Sequence, residues 1–281
     1  MNNNDINSAW AAVAPILRKF DFYDIKDIVG LAGFDLEILK GLGFDANNWG
    51  NPNTSQLVSE IGDCFLSFAD ETKLRFLNTV IEEIFSDRYR VFSYGNEIEE
   101  PEGRKERLQY CLDRLGWQLI DNKILPIEVL DRSDLEELEP SAREELIKAA
   151  TKFRDGDLNE AILSAYAAVE SVIARVYRDK SLGEVDYSKS FQHRCKKALE
   201  ATGVYTAIDG QLTDIEWKEG DIKVFRANLE GSLKQAAYVL QLLRNNMSNA
   251  HGSKPVIKPL VFDSIKWSQI IVRLLSEKYD A

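Results

Sequence analysis

The chain has 281 residues, of which 44% are hydrophobic and 29% are charged, and its formal net charge is −11. These values are typical of a globular protein with one large domain or two ordinary ones, and the acidic balance argues against a protein that coats nucleic acid. No apolar run approaches the roughly 20 residues that span a bilayer, and the N-terminal residues lack the basic and apolar regions of a signal peptide. The sequence therefore predicts a cytoplasmic protein without a membrane partner.

The charge is unevenly distributed along the chain. From Lys223 to the end there are nine Lys or Arg against four Asp or Glu, a balance of +5, so the part of the chain before Lys223 carries −16. A small basic region on an acidic body suits a site that binds a few phosphates. Chance segregation of charge explains the same pattern.

Residues 1–130 are expected to form a mostly helical domain. Apolar spacing predicts helices over residues 8–20, 35–42, 54–68, 70–86 and 104–117. Apolar runs on both sides of Asp121-Asn122 indicate one small β-hairpin.

The predicted domain junction is VLDRSDLEELEP, residues 129–140, which is acidic and ends in a proline. Beyond it, helices are predicted over residues 141–154, 157–179, 188–201, 222–250 and 262–279. Asp155-Gly156-Asp157 is a tight link, so the first two of these helices should lie antiparallel. The expected fold class is all-α, with an antiparallel helical bundle over residues 140–281.

Neither a metal nor a cofactor is predicted. Cys64, Cys111 and Cys195 are far apart and match no zinc or redox spacing, which favours buried free thiols. The two histidines, His193 and His251, are also widely separated in the chain, which argues against a histidine-based metal site. No phosphate-binding P-loop and no dinucleotide-binding glycine pattern is present.

The most unusual stretch is LRNNMSNAHG, residues 243–252, at the end of a predicted helix. Four of the six residues between Arg244 and His251 are Asn or Ser, which helices tolerate poorly. On a helix, this spacing places Arg244 and His251 on one face about 10 Å apart along the axis. Glu170 is a second polar residue among apolar helical neighbours, and Arg244 is its expected partner.

A purely structural explanation exists for these residues. A Glu170–Arg244 pair that braces the bundle, with His251 capping a helix end at the surface, needs no chemistry. This explanation does not account for the Asn-rich interval, which is unfavourable in a helix. Such departures from local sequence preference tend to occur at functional sites. His193 lies in a basic helical patch and is expected at the surface.

Two segments carry a resemblance to a known family. Arg244-Asn245, then His251 after six intervening residues, fits the Arg…His motif of the HEPN superfamily. LLRNNMSNAHG is similar to the ending of the C-terminal domain of bacterial abortive-infection proteins. DGDLNEAILSAYAAVESVIARVY resembles the second helix of that domain, with Glu170 at its acidic position. The resemblance covers about residues 140–281.

The resemblance implies a metal-independent endoribonuclease, in which the RNA 2′-OH attacks and leaves a 2′,3′-cyclic phosphate. His251 would carry protons, Arg244 would bind the scissile phosphate, and Asn245 would bind the phosphate or orient His251. Glu170 would hold Arg244 in place. Lys254 and Lys258 are candidates for binding RNA, although the sequence favours ordinary solvated surface lysines at both positions.

The resemblance also implies partners and a biological role. HEPN ribonucleases are generally homodimers, because one histidine does not easily serve as both base and acid. The expected role is that of a toxin in antiviral defence, with residues 1–130 as a regulatory or sensing domain open to a regulatory partner. The alternatives are a non-catalytic HEPN module that binds RNA, nucleotide or a partner protein, and an inactive protein whose bundle only dimerises.

Overall fold

The structure is a computed structural model that describes residues 3–42, 53–86, 88, 102–131, 133–247 and 255–277. Within these ranges the chain forms twelve α-helices, a single-turn 3₁₀ helix (Ser133–Leu135) and one antiparallel pair of strands, and 74% of it is helical. The prediction of an all-α fold with one small hairpin is therefore confirmed. No helix in the described ranges is long and apolar enough to cross a membrane.

The chain divides into two compact units, Met1–Ile127 and Glu128–Ala281. The division falls just before the acidic segment of residues 129–140. Each unit buries its own set of apolar side chains.

The described part of the N-terminal unit contains six helices followed by the hairpin. They are α1 (Asn3–Leu17), α2 (Phe22–Leu31), α3 (Leu36–Gly41), α4 (Thr54–Ser67), α5 (Asp70–Ile84), α6 (Glu102–Asp113), β1 (Trp117–Ile120) and β2 (Lys123–Pro126). The core is aromatic at its centre, where the rings of Trp10, Phe65 and Phe76 lie 5.1–6.0 Å apart. A Cβ on Gly62 would lie 2.9 Å from the Trp10 indole nitrogen, so glycine lets α1 and α4 approach closely.

The hairpin turn follows directly from its two central residues. Asp121 and Asn122 have φ angles of 46° and 62°, both in the left-handed region that Asp and Asn tolerate best among non-glycine residues. The register pairs Trp117 with Pro126 and Ile120 with Lys123. A two-residue link of this kind matches the twist of antiparallel strands, which confirms the predicted hairpin.

The C-terminal unit is a helical bundle, with six α-helices in its described residues. They are α7 (Pro140–Arg154), α8 (Leu158–Asp179), α9 (Phe191–Thr202), α10 (Val204–Asp214), α11 (Glu219–Met247) and α12 (Lys258–Ser276). Gly156, with φ of +81°, turns the chain between α7 and α8 so that these helices pack side by side. α8 also packs against α9, α11 and α12, and eleven of its 22 residues are buried, so α8 is the central helix of the unit.

Two helices lie outside the predicted ones. α2 begins after the N-cap Asp21 and buries Phe22, Ile25, Ile28 and Val29, a spacing that does indicate a helix. α10 buries only Val204 and Tyr205 and contains Gly210, so it has no apolar stripe that a sequence pattern can detect. Tertiary packing at one end of the helix, rather than amphipathicity, accounts for α10.

Candidate functional site

Arg244 and Asn245 lie in the last described turn of α11. Arg244 is half-buried, and its guanidinium lies over the Tyr166 ring of α8, 5.4 Å from the ring centre. Its Nη1 also donates a hydrogen bond of 3.2 Å to the exposed Asn245 Oδ1. Asn246 Nδ2 donates to the Leu242 carbonyl at 2.8 Å, an example of the backbone competition expected of Asn near a helix end.

Tyr166 is the buried side chain at which the charged groups meet. The residue is 7% exposed. Burial raises the pKa of Tyr166 to about 12, and the nearby Glu170 carboxylate, which also accepts a hydrogen bond from the phenol, adds to this rise. The positive charges of Arg194 and Arg244 oppose this rise. Tyr166 therefore stays neutral at physiological pH.

Glu170 pairs with an arginine of α9, whereas the predicted partner, Arg244, lies on α11. Its Oε1 accepts a hydrogen bond of 3.0 Å from Arg194 Nη1 of α9, and the Arg194 side chain is 7% exposed. The expected Glu170–Arg244 pair is thus corrected: Glu170 reaches Arg194, and Arg244 lies over Tyr166, one helical turn before Glu170. The physical reason is that α9 places an arginine on the buried face that α8 contacts.

Arg194 is the functional candidate that sequence reasoning missed. The buried positions of α9 are Phe191, Arg194, Cys195, Ala198, Leu199 and Thr202. The sequence does show Arg194 as a charged residue within an apolar helical stripe, and a buried charge requires a partner. Its neighbour His193 is exposed, as expected.

Aromatic side chains complete the surroundings of Arg194. Its guanidinium lies 4.7 Å from the centre of the Tyr187 ring and 5.7 Å from that of Phe191. The Phe191 ring in turn lies 4.3 Å from the Tyr166 ring. We call Tyr166, Glu170, Arg194 and Arg244 the α8–α9–α11 cluster, which contains two guanidinium groups and one carboxylate.

Of the remaining predicted site residues in the C-terminal unit, the structure describes Lys258. His251 and Lys254 lie outside the described residues. Lys258 is exposed at the start of α12, and its ammonium group lies 5.2 Å from the centre of the Phe153 ring of α7. That contact is with α7 and not with a member of the cluster.

The three cysteines are free. Cys195 is buried, as expected, whereas Cys64 and Cys111 are only half-buried, which corrects the expectation for those two. Within the part of the chain that the structure describes, no group of three or more His, Cys, Asp or Glu side chains is arranged to hold a metal ion.

One face of α11 is exposed and carries no charge. Alternate steps of four and three residues from Val224 follow this face, and every residue at these steps is exposed. We call these residues the uncharged stripe. It consists of Val224, Asn228, Gly231, Gln235, Tyr238, Leu242 and Asn245. A helix turns about 100° per residue, so the stripe lies opposite the side on which Arg244 contacts α8.

Comparisons of the chain with protein-family models, with curated proteins and with solved structures give no match.

Proposed function

We propose that the C-terminal unit is a metal-independent endoribonuclease of the HEPN type. The observation that carries the proposal is the position of Arg244. This arginine is held over the buried Tyr166 ring at the end of α11, with Asn245 exposed beside it and His251 following shortly after it in the chain. A pre-oriented guanidinium next to an exposed amide suits a phosphate group that gains charge in a transition state.

The proposed reaction needs only the RNA and this chain. The 2′-oxygen attacks the phosphorus, a P–O2′ bond forms, and the P–O5′ bond breaks. His251 takes the 2′-OH proton, since an imidazole has an ordinary pKa of about 6.5 and acts well as a general base near neutrality. Arg244 stabilises the charge on the phosphoryl oxygens, and a second imidazole protonates the leaving 5′-oxygen. The products are a 2′,3′-cyclic phosphate and a 5′-hydroxyl.

The α8–α9–α11 cluster gives Glu170 a role that differs from the one expected from the sequence. Glu170 acts on Arg244 through Tyr166, to which it is hydrogen-bonded. Arg194 pairs with the Glu170 carboxylate and so reduces its repulsion of an incoming phosphate. Tyr166, Glu170 and Arg194 are therefore positioning residues, and Arg244, Asn245 and His251 are the residues that contact the reacting phosphate and ribose.

The second imidazole comes from a second copy of the chain, paired through the uncharged stripe of α11. A chain with a net charge of −11 repels its own copy, so an interface without charge is the favourable place for self-association. Gly231 lets two helices approach closely, and the stripe ends at Asn245, a motif residue. A twofold axis close to Leu242 would bring together the two segments that carry His251.

The resemblance to abortive-infection proteins extends the proposal to the cell. The protein would act in the cytoplasm as a toxin in antiphage defence, with the N-terminal unit as its regulatory or sensing part. Lys254 and Lys258 would add electrostatic attraction for RNA from the residues that follow the motif.

A chimeric oligonucleotide tests the proposed chemistry. DNA that contains a single ribonucleotide should be cut only on the 3′ side of that ribose, and a 2′-O-methyl group at the same position should abolish the cut, because the nucleophile is blocked. Binding of the oligonucleotide without any cut would instead favour the non-catalytic binding module. Cutting of the 2′-O-methyl substrate would contradict the mechanism.

A further inference from the structure

Tyr187 is an aromatic residue that the proposed chemistry does not use. It lies in the loop between α8 and α9 and is 68% exposed. Asp186 holds the loop in a turn, because its carboxylate accepts hydrogen bonds from the Ser188 backbone N–H at 2.9 Å and the Ser188 hydroxyl at 2.6 Å. An exposed tyrosine in an ordered turn offers apolar area to a ligand at little entropic cost.

The back of the Tyr187 ring is supported by the α8–α9–α11 cluster. The Arg194 guanidinium lies 4.7 Å from the ring centre and is itself fixed by Glu170 at 3.0 Å. Arg194 Nε is buried without a hydrogen-bond partner among the described residues, so packing against aromatic rings is what surrounds this part of the guanidinium. The ring is thus oriented from one side and open to solvent on the other.

Tyr187 lies near enough to Arg244 to contact the same RNA strand. A chain of four contacts connects them, from Tyr187 to Arg194, to Phe191, to Tyr166 and to Arg244. These steps measure 4.7, 5.7, 4.3 and 5.4 Å, and the straight distance between the Tyr187 ring and the Arg244 guanidinium cannot exceed their sum. A strand with its scissile phosphate at Arg244 therefore has a base within reach of Tyr187 a few nucleotides away.

We propose that Tyr187, backed by Arg194, is a stacking platform for one unpaired base of the RNA substrate. This inference rests on the proposed ribonuclease function. It adds the requirement that the RNA is single-stranded near the cut. Stacking on an aromatic ring tolerates any base, since every base has a π face, so the platform selects unpaired structure rather than sequence.

The charges around the platform are mixed. Exposed basic residues nearby along the chain attract the strand, and exposed acidic ones oppose it. Within nine residues of Tyr187, the exposed Lys and Arg residues are Arg178, Lys180, Lys189 and Lys196, and the exposed acidic ones are Asp179, Glu184 and Asp186. Stacking, rather than charge, must therefore supply the contribution of this loop to binding.

The test uses full-length protein with His251→Ala, so that RNA is bound and not cut. Fluorescence anisotropy measures the Kd for a single-stranded oligoribonucleotide with and without the further substitutions Tyr187→Ala, Tyr187→Phe and Tyr187→Trp. Loss of one stacked base should raise Kd about tenfold for Tyr187→Ala, whereas Phe and Trp should bind within about twofold of the parent. Tyr110→Ala, which removes a tyrosine that is 65% exposed on α6, is the matched control and should change nothing.

The salt dependence separates stacking from a general loss of the site. Tyr187→Ala should weaken binding by the same factor at every salt concentration, because no phosphate contact is lost. An unchanged Kd in Tyr187→Ala, with RNA binding by the parent and cleavage by wild-type protein intact, would overturn the platform and leave the ribonuclease standing. Absence of both RNA binding and cleavage would overturn the two proposals together.

Discussion

Tyr166 is the side chain at which three helices bring their charges together. α8 contributes Glu170, α9 contributes Arg194, and α11 contributes Arg244. The Tyr166 phenol stays neutral, so it adds no charge of its own to the two guanidinium groups and the carboxylate near it. The residue-scale consequence is that Arg244 has a fixed orientation before any ligand arrives.

The Glu170–Arg194 pair should be important for stability. Glu170→Leu leaves the buried Arg194 without its counter-charge, a change that costs about 3–5 kcal/mol for fully buried pairs. Because a third of the Glu170 side chain is exposed, we expect a loss of about 2–3 kcal/mol in the free energy of unfolding. Urea unfolding of the wild type and of Glu170→Leu measures this difference in the free energy of unfolding.

The double variant Glu170→Leu with Arg194→Met is the control for this prediction. It removes both charges, so it should recover most of the loss. A single Glu170→Leu variant as stable as the wild type would show that the pair contributes nothing.

Cys195 should make the protein sensitive to alkaline pH. Burial raises the pKa of the Cys195 thiol from about 9 to about 12. Between these values the unfolded chain loses the thiol proton while the folded chain keeps it, so stability is fully present below about pH 9 and falls as pH rises toward 12. Tyr166 contributes in the same direction above about pH 10, since its pKa is raised to about 12.

Urea unfolding at pH 8, 9, 10 and 11 tests this dependence. Cys195→Ala should lower stability at pH 8 because a buried side chain is shortened, but its decline with pH should be shallower than that of the wild type. Equal slopes for the two proteins would rule out Cys195 as a source of the alkaline loss.

At the scale of elements, strongly patterned segments were predictable and packing-dependent ones were not. The turn residues Asp121-Asn122 specify the hairpin locally, and the apolar stripe of α8 specifies a buried helix. α10 has no such stripe, because only Val204 and Tyr205 are buried, and its helical state depends on neighbours in the fold. The start of α11 was predicted closely, since Glu219 lies less than one turn before the expected first residue.

The uncharged stripe of α11 predicts where self-association can be broken. Leu242→Glu places a charge at the proposed twofold axis, so we expect a monomer and loss of cleavage. Val224→Glu lies five turns away, about 27 Å along the helix, and should weaken the dimer less. Light scattering after size-exclusion chromatography gives the mass of each variant.

Thr206→Glu is the matched control, because it adds the same charge at an exposed position of α10. It should leave both mass and cleavage unchanged. A Leu242→Glu protein that remains a dimer and cuts RNA would place the interface elsewhere.

At the scale of the whole molecule, the candidate site was predictable only in part. Arg244, Asn245 and Glu170 were visible as polar residues in or beside apolar helical patterns. The partner of Glu170 was not predictable from the sequence. The choice between Arg194 and Arg244 depends on how α8, α9 and α11 are rotated relative to one another, and the pattern of a single helix does not contain this information. Lys258 contacts Phe153, and the sequence had no means to place that lysine relative to the cluster.

Two compact units in one chain suit an effector with a separate regulatory part. The N-terminal unit has its own aromatic core, and the C-terminal unit carries every described residue of the candidate site. We propose that the C-terminal unit cuts RNA with its own side chains and the 2′-OH of the substrate.

Cleavage of total RNA by the purified full-length protein in EDTA, beside His251→Ala, tests whether the C-terminal unit is a metal-independent ribonuclease. We predict that the wild type cuts and leaves 2′,3′-cyclic phosphate ends, and that His251→Ala loses the cut by about 10²–10⁴-fold, the usual contribution of a general acid or base. Equal cutting by the two proteins would contradict the proposed mechanism, in which His251 carries the proton.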